Sequence, residues 1–384
     1  MKLYVHSTAP WSPSSYSVLV KRSVPNMVLD GHKVTLGTWF GLQGQPMPWP
    51  ISGKDGKQAG QVMVLPSAGN NYGIDTLEKS YTFNSADVLI TISDVWVFPA
   101  KVTAKTVFCP WLPIDHDPAP QPVLDSLQSA VYPMVMSQFG VDVLDKAGVK
   151  AKHIPGSAPT AIFKPGDKLE ARKQFQVADD IFLVSMVAAN KDPMDRKGFA
   201  EAIAGFARFV EKHENARLYL HTNWGGTVDI PALCRMFGID DKVLQPDAYA
   251  YTMGMFNEQY MASVYQASDV LLNPCKSEGF GLPLIEAQMC GCPIAVTDFA
   301  TTKELLFAGW ALDGQPDWSN GQNSWRKRVY IDSIVDALED AYSTKGNRKL
   351  YKKAANGAKR YDTDLVFNQY WRPALKDIEA LISD

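Results

Sequence analysis

Two glutamates in the second half of the chain, Glu278 and Glu286, lie on either side of a Gly-Phe-Gly turn. The turn follows an apolar stretch of strand length (DVLLNP) and opens a helical stretch. Glycines let backbone N–H groups approach a ligand closely, and the N-terminus of a helix favours an anion such as a diphosphate. Carboxylates placed around such a turn can accept hydrogen bonds from sugar hydroxyls. The alternative interpretation is a capped helix with two solvated glutamates.

Strand-like and helical stretches alternate through both halves of the chain and must position this turn. The strands predicted from apolar runs are 2–6, 33–40, 62–65, 88–92, 106–109, 181–187, 217–221, 270–273 and 294–297. The predicted helices are 16–29, 75–83, 141–147, 199–210, 230–237, 258–266 and 284–289, with closing helices from 331, 348 and 364. Strand–helix–strand alternation predicts an α/β fold of two doubly wound lobes, each with a parallel sheet. Ligands of such folds bind beyond the carboxyl ends of the strands, here in the cleft between the lobes.

A charged stretch containing Pro and Gly, residues 164–176, separates the two α/β patterns. We therefore predict an N-terminal lobe over 1–165 and a C-terminal lobe over 166–362. Residues 363–384 are predicted to form a helix that packs back toward the first lobe.

Composition excludes several classes of protein. The chain has 384 residues, of which 46% are hydrophobic and 21% charged, so large-scale disorder is excluded. Its net charge of −3 gives no general attraction to polyanions. The most apolar stretch, 87–98, is broken by Asp94 and is too short to cross a bilayer, and no secretory signal is apparent. Five cysteines at irregular spacing are expected to be reduced thiols of a cytoplasmic protein.

The stretch SEGFGLPLIEAQMCGCP at 277–293 closely resembles the signature of retaining glycosyltransferases of family 4, which have the two-lobed GT-B fold. In that family the first Glu contacts the donor sugar, the Gly-Phe-Gly amides hold sugar and phosphate, and the second Glu binds the ribose. The resemblance implies sugar-binding roles for Glu278, Gly279, Phe280 and Gly281, diphosphate-binding roles for Gly281 and Leu282, and a ribose-binding role for Glu286.

Two further segments resemble the same family in the expected order. The stretch HIPGSAPTAIFKP at 153–165 is similar to the segment that joins the lobes, with Ser and Pro at two positions where relatives carry Gly and Asp. The loop AANKDPMDRKG at 188–198 is similar to the one in which relatives hold the donor diphosphate with an Arg and a Lys. The resemblance makes Lys191, Arg196 and Lys197 the candidates, and such cations would stabilise the leaving phosphate. The alternative is a set of solvated charges ahead of a helix.

The N-terminal lobe resembles the family more loosely. Residues 9–36 are similar to its first strand, glycine-rich loop and helix, but Ser14, Ser15 and Tyr16 stand where relatives have a glycine turn. The serine hydroxyls could replace the missing backbone donors. The stretch PWLPIDHDP at 110–118 resembles the place of a histidine that reaches toward the donor sugar across the cleft, which implies this role for His116.

The resemblance implies transfer of a hexosyl or pentosyl unit from a nucleotide sugar, such as a GDP- or UDP-sugar, to an acceptor hydroxyl with retention of anomeric configuration. His116, Glu278 and Arg196 are the implied catalytic residues. The donor would lie on the C-terminal lobe and the acceptor would enter from the N-terminal lobe. We expect no cofactor and no metal. The triplets at 115–117 and 362–364 have the DxD pattern of metal-dependent transferases, but not the single-lobe context of that fold.

The sequence leaves several alternatives open. One is an isomerase or a phosphorylase-like enzyme of the same fold, acting on a nucleotide sugar or glycan. Another is a binding module with a decayed site. The acceptor could be a glycan, a lipid-linked sugar, a small metabolite, a protein or a modified nucleobase in DNA, as in a phage-type transferase. A net charge of +2 over residues 1–165 tolerates DNA without demanding it. The donor sugar, its base and the oligomeric state are not predicted.

Overall fold

The computed structural model describes residues 1–67, 69 and 71–383. Ala68, Asn70 and Asp384, which fall in the predicted segments 1–165 and 363–384, lie outside the described residues. The strands are β1 (Lys2–Ser7), β2 (Lys33–Thr38), β3 (Met47–Ser52), β4 (Gln58–Leu65), β5 (Val88–Thr91), β6 (Trp111–Leu112), β7 (Met134–Val135), β8 (Lys152–His153), β9 (Phe182–Val187), β10 (Ala216–His221), β11 (Val243–Leu244), β12 (Val270–Asn273), β13 (Ile294–Thr297), β14 (Gly309–Leu312), β15 (Gly314–Ser319) and β16 (Ser324–Val329). The α-helices are α1 (Ser15–Leu29), α2 (Leu77–Phe83), α3 (Ala100–Thr103), α4 (Gln121–Leu127), α5 (Gln138–Lys146), α6 (Lys168–Gln174), α7 (Phe199–Val210), α8 (Ile230–Phe237), α9 (Ala248–Thr252), α10 (Glu258–Ala267), α11 (Leu282–Met289), α12 (Ala300–Glu304), α13 (Ile331–Ser343), α14 (Arg348–Ala358), α15 (Thr363–Val366) and α16 (Arg372–Ser383).

The chain divides into two compact units. The first unit comprises Met1–Ser157, Asn320–Ser324 and Thr363–Asp384, and the second comprises Ala158–Ser319 and Trp325–Asp362. Each unit contains a predominantly parallel β-sheet with helices in its crossover connections.

The sheet of the first unit has the strand order β3-β4-β2-β1-β5, in which β3 alone is antiparallel. A smaller parallel sheet, β6-β7-β8, adjoins it through isolated bridges from Leu89 to Phe108 and from Ile92 to Trp111. From β1 the chain builds outward to β2 and β4, and then returns to place β5 on the other side of β1. The strand order therefore reverses between β1 and β5, and the carboxyl edge at such a reversal is where doubly wound folds bind ligands.

The sheet of the second unit has the order β11-β10-β9-β12-β13-β14, and its strands are parallel. Its strand order reverses between β9 and β12. Strands β15 and β16 form a separate two-stranded sheet.

Apolar side chains on both faces of the second sheet explain why it is covered on both sides. Along β9, Phe182 and Val184 pack with Phe206 of α7 in one buried cluster. The intervening Leu183 belongs to a cluster on the opposite face with Val264 of α10. Because neighbouring residues of a strand point to opposite faces, a continuous apolar run is what a sheet covered on both sides requires.

One predicted strand, at 106–109, is wrong. Within it Phe108 makes only isolated bridges, and the strand that follows is Trp111–Leu112. Pro110 has no N–H to donate to a ladder, which limits pairing there. The edge strands β3, β14, β15 and β16 were not predicted. No helix in the described part of the chain is long and apolar enough to cross a membrane.

Candidate active site

Two loops meet at the carboxyl ends of β9 and β12, where the strand order of the second unit reverses. The first loop carries Arg196 and Lys197, and the second carries Glu278. The backbone N–H of Lys276 donates to the carbonyl of Arg196 at 2.8 Å, which fastens one loop to the other. Gly198 has φ +72°, and a Cβ there would lie 2.5 Å from the carbonyl oxygen of Pro274. Only glycine therefore allows this close approach.

The two loops bring predicted diphosphate-binding cations to the predicted sugar-binding carboxylate. The Nζ of Lys197 lies 2.5 Å from Oε2 of Glu278, and both side chains are largely buried. Arg196 donates from its guanidinium to the carbonyl of Ser277 at 2.6 Å, and its Nε lies 3.6 Å from Asp192. The result is a compact group of opposite charges around the start of the Gly-Phe-Gly turn.

The turn itself is shaped by its glycines and by neighbouring side chains. Gly281 has φ +91°, and a Cβ there would lie 3.2 Å from Cγ of Glu278, so a side chain would be both strained and crowded. The carbonyl of Gly279 accepts a hydrogen bond from Thr301 at 3.1 Å. Phe280 is buried and packs edge-on against Tyr361. Helix α11 then begins at Leu282, whose N–H follows directly on the turn. Pro283 has no N–H, and the N–H of Leu284 donates to the carbonyl of Gly281 at 2.9 Å.

Glu286, the predicted ribose-binding residue, lies in α11 and is buried with 7% of its surface exposed. Its Oε2 accepts a hydrogen bond from the hydroxyl of Tyr265 at 3.0 Å. A buried carboxylate needs such partners, since burial without hydrogen bonds is costly. Tyr265 was not predicted as a site residue, and no sequence signal links it to a helix twenty residues away.

Lys276 is a further residue that the sequence analysis missed. It is 8% exposed, and its ammonium group donates to the carbonyl of Met194 at 3.1 Å. This contact spans the two loops beside the one made by its backbone. Its position between the strand end and Glu278 is the signal that could have identified it. Lys191, by contrast, is exposed at the start of the first loop.

The thiol of Cys275 lies beneath these charges. It is buried and donates to the carbonyl of Ser277, and the Arg196 guanidinium lies 3.8 Å from its sulfur. Burial raises the pKa of the Cys275 thiol, so it stays protonated near neutral pH. Cys275 therefore packs under the site without adding a negative charge to it.

The remaining predicted residues lie in the first unit. His116 is buried, and its Nδ1 lies 2.5 Å from the carboxylate of Asp115. That partner favours a proton on Nδ1, and Nε2 has no hydrogen-bond partner among the described residues. Asp117, the other carboxylate of this triplet, pairs with Lys146 at 3.0 Å.

The serine turn that replaces the family's glycine turn starts α1. Ser14 caps this helix by accepting from the N–H of Ser17 at 3.1 Å, and it also contacts the hydroxyl of Thr8. Ser15 is exposed in the first turn of the helix, and Tyr16 is half-buried. The described residues contain no group of three or more His, Cys, Asp or Glu side chains arranged to hold a metal ion.

Comparison with known proteins agrees with this architecture. Residues 183–315 match the family described as "Glycosyl transferases group 1". The structure also superposes on sucrose-phosphate synthase from Thermosynechococcus elongatus with a TM-score of 0.74, at 14% identity, over 99% of this chain and 100% of that one. Residues 183–315 are thus similar to the group 1 glycosyl transferases, and the chain has the GT-B fold. The group 1 region contains both loops of the site.

Curated relatives match part of this chain. A D-inositol 3-phosphate glycosyltransferase of Segniliparus rotundus is 30% identical over 37% of this chain and 30% of its own length. An uncharacterized glycosyltransferase of Methanocaldococcus jannaschii is 24% identical over 50% of this chain and 48% of its own length. The chain thus spans about half or less of these curated relatives. Anabaena HepE, solved in complex with UDP-glucose, superposes with a TM-score of 0.70 at 14% identity, over 99% of this chain and 100% of that one.

Proposed function

We propose that the protein is a glycosyltransferase that moves a sugar from a nucleotide-sugar donor to an acceptor hydroxyl with retention of anomeric configuration. The observation that carries this proposal is the meeting of Arg196, Lys197 and Glu278 beside the Gly-Phe-Gly turn. Cations, a carboxylate and free helix N–H groups are the partners that a sugar diphosphate needs.

Each part of the donor is assigned to the groups whose chemistry suits it. The diphosphate is held by Arg196, by Lys197 and by the amides of Gly281 and Leu282, with Lys191 as a more exposed candidate. The carboxylate of Glu278 accepts hydrogen bonds from the sugar hydroxyls once the donor phosphate has taken over its partner Lys197. The carboxylate of Glu286, already oriented by Tyr265, accepts from the ribose hydroxyls.

In the chemical step, the bond between the anomeric carbon and the donor phosphate oxygen breaks. A new bond from the acceptor oxygen to the same carbon forms on the same face, and the acceptor proton passes to the departing diphosphate. Arg196 and Lys197 neutralise the charge that collects on that diphosphate. In the first unit, His116 is the proposed catalytic residue, and the acceptor is proposed to bind at the strand ends of that unit. The proposal includes neither a metal ion nor a further cofactor.

A thermal-shift panel tests donor binding. UDP-glucose heads the panel because HepE was solved with it, and UDP, GDP, GDP-mannose and ADP-glucose complete it. A ligand at 100 times its Kd stabilises the folded protein by about 2.7 kcal/mol. A panel without any stabilising nucleotide contradicts the proposal.

Product analysis then tests the reaction. The stabilising donor, labelled in its sugar, is incubated with and without acceptors, and the products are analysed by NMR. Transfer or slow hydrolysis with retained configuration is expected. An inverted product contradicts retention, and an isomerised nucleotide sugar without transfer favours the isomerase alternative.

A further inference from the structure

The carboxyl edge of the sheet in the first unit is unusual in its charge. Four loops leave this edge after β1, β2, β4 and β5, and a fifth follows β6 of the small adjoining sheet. Their sequences are TAPWSPS (8–14), WFGLQGQP (39–46), PSAGNNYGIDT (66–76), ISDVWVFP (92–99) and PIDHDPAP (113–120). We call them the strand-end loops. Their sequences contain four aspartates and neither lysine nor arginine. The cations that make the net charge of residues 1–165 positive thus lie elsewhere in the sequence.

A row of aromatic rings links three of the strand-end loops. The ring centroids of Trp39 and Tyr72 are 5.0 Å apart, and those of Tyr72 and Trp96 are 6.4 Å apart. Trp96 is 43% exposed and Phe40, beside Trp39, is 48% exposed. Such rings offer rigid apolar area on which a flat ligand can pack.

Four buried polar atoms at these rings and strand ends have no hydrogen-bond partner among the described residues. They are Nδ1 of His6, Nε1 of Trp39, Oγ1 of Thr91 and Oγ of Ser93. His6 and Thr91 are register partners in β1 and β5, on either side of the reversal of strand order. Because buried polar groups normally have hydrogen-bond partners, four such atoms at one sheet edge indicate a ligand with hydroxyl groups.

His6 adds hydrogen-bonding capacity there without adding charge. Its Nε2 lies 2.7 Å from the carbonyl of Tyr72, so Nε2 carries the proton and Nδ1 is an acceptor. Burial lowers the pKa of His6 to about 4, which keeps the ring neutral near pH 7.

We infer that the acceptor is an uncharged sugar ring, the terminal residue of a glycan or glycoside, and neither a phosphate ester nor a nucleic acid. This inference rests on the proposed function and names its acceptor. A sugar ring has a C–H face that packs on the Trp39–Tyr72–Trp96 row and hydroxyls that pair with the unpartnered polar atoms. A phosphate would instead meet aspartates in loops that lack lysine and arginine, and like charges in a binding site oppose association.

The test uses pairs of acceptors that differ only by a phosphate group, together with the donor that gives the largest thermal shift. The pairs are glucose and glucose 6-phosphate, mannose and mannose 6-phosphate, and myo-inositol and myo-inositol 3-phosphate, with a hydroxymethylcytosine-containing DNA duplex as a further acceptor. We expect kcat/KM for the preferred uncharged sugar to exceed that of its phosphorylated partner by at least about tenfold. The duplex should not be glycosylated.

Two variants locate the effect at the aromatic row. Trp96→Ala should raise the acceptor KM by up to about tenfold, because the sugar ring loses an aromatic surface on which it packs. Phe83→Ala is the matched control, because Phe83 is an exposed aromatic residue of the same unit at the end of α2. Gln43→Lys, which places a cation in a strand-end loop, should narrow the preference against phosphorylated acceptors.

Faster turnover of the phosphorylated member of the best pair, or glycosylation of the duplex, overturns the inference. Donor hydrolysis without transfer to any uncharged sugar also overturns it and leaves the proposed function intact. If no nucleotide sugar is bound or hydrolysed, the proposed function itself fails.

Discussion

The two main sheets of this protein reverse their strand order in the same way. The side chains at the reversal are charged in the second unit and mostly neutral in the first. In the second unit, the loops after β9 and β12 gather Arg196, Lys197, Lys276 and Glu278. In the first unit, the carboxyl ends of β1 and β5 and the loops that follow hold aromatic rings, hydroxyls and the neutral His6 of β1. The same backbone arrangement thus supplies one site suited to a charged ligand and one suited to an uncharged ligand.

This difference shows that the position of a ligand site follows from topology, whereas the kind of ligand follows from the loops. Carboxyl ends of neighbouring strands meet at one edge in both sheets. The energy available there depends on which side chains the loops carry: charge pairing in the second unit, and ring packing with neutral hydrogen bonds in the first. Four predictions separate the two regions.

The largest expected effect comes from removing a cation of the second unit. Arg196→Ala should lower kcat for sugar transfer about 10²–10³-fold, comparable to the loss of one donor to a developing oxyanion. Steady-state kinetics measure this effect. Arg196→Lys should recover part of the activity, and Arg235→Ala serves as the control at an exposed arginine in the last turn of α8. An Arg196→Ala enzyme with nearly normal kcat would show that another cation neutralises the leaving group.

The next effect concerns acid and the neutral His6 of the first unit. Its pKa in the folded protein is about 4, below the ordinary value of 6.5. Between these pH values the unfolded chain binds a proton that the folded protein does not, so stability falls as the pH falls from 6.5 to 4. The loss at this site is about 3 kcal/mol.

Urea unfolding of wild type and His6→Gln, at pH 7 and pH 4, measures this contribution. Glutamine can still donate to the carbonyl of Tyr72 but does not titrate. The advantage of wild type over the variant should therefore shrink on acidification. An advantage that is equal at both pH values would contradict a neutral buried His6.

A smaller effect is expected at Glu286, the proposed ribose-binding residue. Glu286→Gln should raise the donor KM roughly tenfold, because a neutral amide accepts hydrogen bonds more weakly than a carboxylate. The acceptor KM should stay unchanged. Glu211→Gln, at an exposed residue next to α7, is the matched control. A rise in the acceptor KM instead would contradict a role for Glu286 in donor binding.

The smallest effect is a difference in salt dependence. Raising ionic strength from 0.05 M to 0.5 M should increase the donor KM several-fold, since screening weakens the attraction between the diphosphate and the cations. The KM of an uncharged acceptor should change less than about twofold, because ring packing is not screened. Parallel titrations of the two substrates measure this. Equal salt dependence of the donor KM and the acceptor KM would contradict a charged site in the second unit and an uncharged site in the first.

The sequence analysis predicted the central elements well because their patterns are local. Helix α8 begins and ends at the predicted residues, 230 and 237, and β12 and β13 also match. The strand predicted at 106–109 is wrong because a short apolar run does not show how many residues form backbone hydrogen bonds with a neighbouring strand. The edge strand β3, with the sequence MPWPIS, was missed because its two prolines argue against a strand except at a sheet edge.

The candidate site was only partly visible in the sequence. The resemblance pointed to Glu278 and the cation loop, and the structure brings Lys197 to Glu278. The contacts of Lys276 and Tyr265 depend on loops and helices that are far apart in sequence. The pairing of His6 with Thr91 likewise requires the sheet register, which no single stretch of sequence contains.

The loop that carries Arg196 is tied to its neighbour by the backbone and the side chain of Lys276 and by the tight fit of Gly198 against Pro274. A loop held in this way is already ordered before a nucleotide arrives. The loop therefore loses its conformational freedom on folding and not on binding. Because binding carries no further ordering cost, the attraction between the cations and the proposed diphosphate contributes more fully to the affinity. Weakening these ties should reduce donor affinity even when every group that touches the donor is retained.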